Sequence, residues 1–404
     1  MPDTPTQARV AGQPPPVSEA EETMPAAREV LLYFLLLGFI NVGGPVAQIT
    51  MMFNQMVERR HWLSQDRFVK IMAFAHMLPG PEALQLAIYV GYLKRRILGG
   101  ILAGLTFIIP GAAVMVLLSW LYVTYGSLPQ VNDALYILKP AVLGIIAAGI
   151  IKLGRAAIKN RVLAGLLVGA IVAMWLGRID FLLVLLAAGL LNMLITEDLP
   201  RLRTAAAIVP LAGVGLSGMA ALAAPQWLEM IWVFLKTGLF SFGGAYASLA
   251  FLQRDAVERY HWLTAGQLLD GVALSVATPG PFMLFTAFAG YLAGGLFGAI
   301  LATFFVFLPS FVLVLIGAPY IEQVRHDRRI QGFLAGASAA VVGVILVVSL
   351  PFIPEAFVDL FSIAIGVIAF LVIVVLKVDV ALVAVGAMVG GIAYAAVRAL
   401  AGGI

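Results

Sequence analysis

The feature that most constrains this chain is that it writes one long apolar pattern twice. Gly38 to Gln48 (GFINVGGPVAQ), Val57 to Leu63 (VERRHWL) and Leu78 to Pro81 (LPGP) form the first copy. At an offset of 200 they return as Gly238, Gly243, Gly244 and Ala247, then Val257, Glu258, Arg259, His261, Trp262 and Leu263, then Pro279, Gly280 and Pro281. The register holds without a gap, so the chain is an internal duplication and must be read as two copies of one unit. Later landmarks match at an offset of 199: Gly91 and Tyr92 with Gly290 and Tyr291, Pro110 with Pro309, Gly144 with Gly343. Each copy sets a helix-breaking knot, Gly-Gly or Pro-Gly-Pro, inside an apolar run. In lipid, that is an expensive place to interrupt a helix.

Composition says that the runs do lie in lipid. The chain is 62% hydrophobic and 11% charged, against roughly 25% charged in an average soluble protein, and its mean hydropathy is +1.02. Apolar stretches of the roughly 20 residues that a helix needs to cross a bilayer recur along nearly the whole length. The alternating pattern of a membrane barrel is absent, so the fold class is an all-α polytopic membrane protein. Without cysteine there is no disulfide and no thiol nucleophile, and four histidines without an HExxH or CxxC pattern give no metal site and imply no cofactor. The net charge of +4 comes from bases in short loops between spans, where topology explains them without a nucleic-acid partner.

Residues 1–27 are rich in Pro, Glu, Thr and Ala, lack the apolar core of a signal peptide, and read as a disordered cytoplasmic tail. A first repeat of six apolar segments is expected over 28–204, a connecting transmembrane helix over 205–225, and a second repeat of six over 226–404. In the first half Lys and Arg crowd the loops after segments 1, 2 and 4 (Arg59, Arg60, Lys94, Arg95, Arg96, Lys152, Arg155). In the second they move to the loop after segment 3 (Arg325, Arg328, Arg329). Cytoplasmic loops carry the excess of bases, so the halves are expected to be inverted, with the N-terminus inside. The count closes if segments 1 and 2 of each half turn back at Gly43-Gly44, Pro79-Gly80-Pro81 and their counterparts; thirteen simple spans is the alternative.

Inverted repeats with broken helices at mid-depth are the layout of secondary transporters. Pro45 follows Gly44 and Pro81 follows Gly80, which is how a helix restarts, and the free N–H groups of such a start favour an anion. The competing reading is a set of packing kinks with close glycine contacts.

The motifs GGPVAQI at Gly43, VERRHWL at Val57, LPGPEALQLAIYVGYL at Leu78, LKPAVLGI at Leu138, FLKTGLFSFGGAYA at Phe234 and TPGP at Thr278 together resemble the chromate ion transporters of the two-domain type. The resemblance runs from about residue 30 to 400. It implies export of chromate, an oxyanion that mimics sulfate, across the bacterial inner membrane, driven by the membrane potential or a proton gradient. One departure is that many members carry an acid just before the second PGP, where this chain has Ser275, Val276 and Ala277.

Charge at membrane depth is costly, so each ionisable residue inside an apolar segment is a functional hypothesis. Lys236 and Lys139 are candidates to neutralise a dianion, with snorkelling the alternative for Lys139. Glu82 and His76 are proton-coupling candidates. Gln48, Gln85, Ser248 and Thr278 can donate to oxyanion oxygens or glue helices together. Arg59 and Arg259, at the ends of the first segments, are candidates to draw anions to the two mouths, or interface anchors. Gly43, Gly44, Pro45, Pro79, Gly80, Pro81, Gly243, Gly244, Pro279, Gly280 and Pro281 complete the expected substrate site. A sulfate or other oxyanion carrier is the near alternative and an intramembrane enzyme the distant one; a homodimer stays open.

Overall fold

The computed structural model describes residues 22–23, 25–41, 45–177, 179–196, 226–242, 246–320 and 327–401. The connecting helix expected over 205–225 and both Gly-Gly pairs lie outside these residues.

In the first half α1 (Ala27–Ile40) is followed by α2 (Pro45–Phe53), which runs into a π-helical stretch, Asn54–Arg59. Then come α3 (Gln65–Ala75), α4 (Glu82–Tyr125), α5 (Pro129–Ala157), α6 (Arg161–Trp175) and α7 (Phe181–Thr196). The second half repeats the order. It has α8 (Gln226–Leu239), α9 (Ala247–Leu252) with π-helical Gln253–Arg259, α10 (Ala265–Ala277), α11 (Phe285–Gly317) and α12 (Arg328–Ser349). After a short α13 (Phe352–Ala356) it ends with α14 (Leu360–Val374) and α15 (Val380–Ala401). No strand occurs among the described residues.

The duplicated landmarks are contact points. Gly91 faces Gly99 so closely that a Cβ would overlap its carbonyl oxygen, and Gly290 faces Gly298 in the same way. Eight residues of straight helix span about 12 Å, so α4 and α11 must double back. They do so at Arg95-Arg96 (φ 56°, ψ −151° at Arg96) and Gly294-Gly295 (φ 61°, ψ −153° at Gly295). Pro110 receives Gly38 of α1, and Pro309 receives Gly238 of α8. The VERRHWL copies are chain reversals. His61 (φ 51°) and His261 (φ 53°) are left-handed, the next N–H groups, of Trp62 and Trp262, return to Met56 and Ala256 carbonyls at 2.7 Å, and Ser64 and Thr264 then cap α3 and α10.

The Pro-Gly-Pro motifs end one helix and start another going back. Phe74 of α3 meets Tyr89 of α4 edge-on at 6.0 Å, and a Cβ at Gly271 of α10 would press on the Phe288 ring of α11. Pro45 opens α2 as expected for a first helical residue, but Pro81 and Pro281 stand one residue ahead of their helices as extended N-caps.

The halves are interlocked. α5 of the first half packs on α14 and α15 of the second, while α12 of the second packs on α6 and α7 of the first. Gly144 lies against the Gly366 carbonyl, and its counterpart Gly343 lies against the Leu167 carbonyl. Between the halves, α4 and α11 run antiparallel: Gly100 meets Leu315 and Gly104 meets Phe311, one advancing four residues as the other retreats four. Antiparallel packing of duplicated helices means that the axis relating them is perpendicular to the helices.

The chain before α1 is engaged earlier than the expected boundary at 27. Glu22 bonds Arg67 at 2.9 Å and accepts from the Ser64 N–H, and the Thr23 carbonyl accepts from Lys94.

Candidate functional site

The two Pro-Gly-Pro turns reach across to the opposite half. The Gly80 N–H donates to the Ser241 carbonyl at 3.1 Å, and the Gly280 N–H donates to the Asn41 carbonyl at 2.9 Å. Asn41 and Ser241 are themselves counterparts, each just ahead of a Gly-Gly pair. Both glycines need their residue type, with φ of 114° and 112°. A Cβ at Gly80 would sit 2.5 Å from Ser310 Oγ, and one at Gly280 would sit 2.5 Å from Leu284 Cδ1 and 3.0 Å from Gly111 Cα. Ser310 and Gly111 are again counterparts. The four broken segments therefore converge in two symmetric clusters, each built from both halves.

These clusters hold polar groups that nothing among the described residues satisfies. Asn41 is fully buried, and neither its amide nitrogen nor its oxygen has a partner among the described residues; the same holds for Gln85 Oε1 and Ser310 Oγ. Buried polar groups are nearly always paired, so such a concentration marks a place where a polar ligand can be received. The starts of α4 and of the turn after Pro281 also lack a side-chain cap, so each cluster has first-turn N–H groups with no side-chain acceptor. Asn41 and Ser310 were not expected from the sequence. The signal available for Asn41 was its place one residue after the apolar run of α1.

The expected donors are in part already engaged. Gln48 Nε2 donates to the Gly280 carbonyl at 3.3 Å and Gln85 Nε2 to the Pro79 carbonyl at 2.6 Å, so both brace the turns. Thr278 Oγ donates back to Leu274 at 2.8 Å as the cap of α10. Ser248 is fully buried on α9. His76 Nδ1 and Glu82 Oε1 are 3.0 Å apart, bracketing the first Pro-Gly-Pro turn. Arg59 lines a cavity of about 450 Å3 between α1 and the π-helical stretch, with Tyr33, Asn54, Gln55 and Arg60. Arg259 stacks over Tyr260 at 5.2 Å, which suits an anchor better than an anion lure.

Neither lysine is a free positive charge. Lys236 Nζ is 2.5 Å from Asp255 Oδ2, with both side chains a tenth exposed or less. Lys139 Nζ is 3.0 Å from Asp270 Oδ1, and Tyr122 Oη donates to Asp270 Oδ2 at 2.8 Å. The lysines were legible as charges in apolar runs; Asp255 and Asp270 were missed, although Asp270 sits in an equally apolar stretch, AGQLLDGVALSVA.

Residues 28–193 and again 228–392 match the family described as Chromate transporter, so the duplicated unit and the family unit coincide. Among curated proteins the chain is similar to the chromate transport protein of Pseudomonas aeruginosa, 37% identical over 359 residues (85% of this chain, 83% of that one). It is also similar to that of Cupriavidus metallidurans, 35% identical over 343 residues (82% and 85%). A probable chromate transport protein of Synechococcus elongatus is 32% identical over 335 residues (79% and 82%). No solved structure matches. With a duplicated helical fold, five helices among the described residues long and apolar enough to cross a bilayer and the family matched over both halves, this chain is an integral membrane protein of the chromate transporter family.

Proposed function

We propose that the chain is a secondary active transporter that exports an oxyanion, chromate first, from the cytoplasm across the inner membrane, with its N-terminus inside. The observation that carries this reading is the reciprocal pair of clusters at Gly80 and Gly280, with the Asn41 side-chain amide and Ser310 Oγ buried beside them and without a partner among the described residues. A tetrahedral oxyanion offers four acceptor oxygens, which suits the amide of Asn41, the hydroxyl of Ser310 and uncapped backbone N–H groups. Antiparallel α4 and α11 are what halves inverted in the membrane would present. The residues around Gly43-Gly44 and Gly243-Gly244 and a connecting helix over 205–225 belong to the same proposal. Within it Lys139 and Lys236 supply the positive charge once released from their aspartates, Arg59 supplies an electrostatic mouth on one side, and the His76–Glu82 pair is a protonatable tip on the first hairpin.

The test is chromate accumulation in cells expressing the chain against an empty vector, with and without excess sulfate. Lower accumulation, restored to the vector level by Asn41→Leu at equal membrane abundance, is expected. Unchanged chromate with altered sulfate movement would transfer the same site to sulfate. No effect on either anion, with the protein in the membrane, would overturn the reading.

A further inference from the structure

The two buried ion pairs are not part of the duplicated plan. At the 200-residue offset Lys236 and Asp255 correspond to Leu36 and Gln55, and Asp270 corresponds to Lys70; at the 199 offset Lys139 corresponds to Ser338. Both carboxylates therefore belong to one half only, on the arms of its broken segments.

Asp270 is the more exposed to consequence, because its partners come from the other half. It lies on α10, the arm leading into Pro279-Gly280-Pro281, and is 3% exposed. Lys139 from α5 and Tyr122 from the end of α4 take one oxygen each. Glu355 of α13 lies against the same arm at Gly266. The π-helical Gln253–Arg259 packs there too, but its Asp255 is held by Lys236. α15 adds only Arg398, which pairs with Asp133 at 2.9 Å. Among the described residues Asp270 thus has a single cationic partner, and the Lys139 side chain, 21% exposed, is the more open part of the pair.

An oxyanion that takes the Lys139 ammonium must take it from Asp270. The carboxylate would then be left buried, uncompensated and near Glu355, a state that proteins avoid by protonation. Resting on the transport reading above, we propose that Asp270 is a resident anion that binds one proton when the oxyanion takes Lys139, and releases it when the pair re-forms. An O–H bond forms on the carboxylate with a proton from the aqueous side and breaks as the anion leaves, so that one proton accompanies each anion in the same direction.

The experiment uses the full chain in liposomes, with radiolabelled chromate as the probe. For the native chain, acid outside should drive accumulation against the chromate gradient, and a lumenal pH dye should report acidification. Asp270→Asn should lower the KM for chromate severalfold, since the competitor is gone, while abolishing both the pH drive and the dye signal. Asp270→Glu should retain drive and signal. Accumulation by Asp270→Asn equal to the native chain, a raised KM, or loss of all exchange would each overturn the proposal. No chromate exchange by the native chain at any pH would instead overturn the transport reading beneath it.

Discussion

Replacing Arg96 by glycine should make the protein more stable. Arg96 turns the α4 hairpin at φ 56°, ψ −151°, a region that L side chains rarely adopt, and its counterpart in α11, at φ 61°, ψ −153°, is Gly295. Holding a non-glycine residue there costs about 1–3 kcal/mol. The Arg96 side chain is exposed and makes no ion pair among the described residues, so little is lost with it. Glycine adds unfolded-state entropy worth roughly 0.5–1 kcal/mol, which leaves a net gain of up to about 2.5 kcal/mol. That corresponds to a rise of up to roughly 3 °C in Tm. The assay is thermal unfolding of purified protein in detergent, followed by loss of the monodisperse size-exclusion peak. Arg95→Gly is the control: Arg95 has a negative φ of −145° (ψ 28°) and is outside the left-handed region, so that variant should be no more stable than the native chain. A Tm for Arg96→Gly at or below that of Arg95→Gly would refute the strain argument.

Gly280→Ala should cost about 2–5 kcal/mol from strain at φ 112° and overlap with Leu284 and Gly111, measurable as a fall in Tm alongside loss of transport; a silent variant would count against the close approach. Lys236→Ala leaves Asp255 bare and should destabilise by about 3–5 kcal/mol, whereas Lys236→Met with Asp255→Asn should regain most of that stability yet still transport poorly. Equal stability of the single and double variants would contradict the ion pair. Glu22→Ala frees Arg67 and the Ser64 N–H, and limited proteolysis should then cut near Thr23 several times faster than in the native chain.

Much of the fold could be read from the sequence because lipid imposes a simple rule on run length. The first three of the six apolar segments expected in the first half are, in the structure, α1 to Arg59, α3 to the α4 turn, and the remainder of α4. The helix breaks at the Pro-Gly-Pro motifs were equally visible, since proline and glycine act on the backbone locally. What stayed hidden depends on which elements meet. Gly144 and Gly343 were legible as matching landmarks, but not as the points where each half grips helices of the other. Lys139 and Lys236 announced themselves as charges in apolar runs, while their neutralisation by Asp270 and Asp255 required knowing that α5 lies beside α10 and α8 beside the π-helical turn. The matching VERRHWL copies read first as interface anchors, with anion mouths the lesser alternative; the left-handed His61 and His261 make them turns.

The exchange of terminal helices between the halves bears on how the protein is made. As the chain leaves the ribosome, α6 and α7 are complete long before α12 exists, so they must wait in the bilayer without the surface that they finally cover. They are 15 and 16 residues long, only about 22–24 Å, and so are poorly matched to a hydrocarbon core of roughly 30 Å until that partner arrives. Assembly of the first half is thus completed by the second, and a half made alone would need the same helices from another chain.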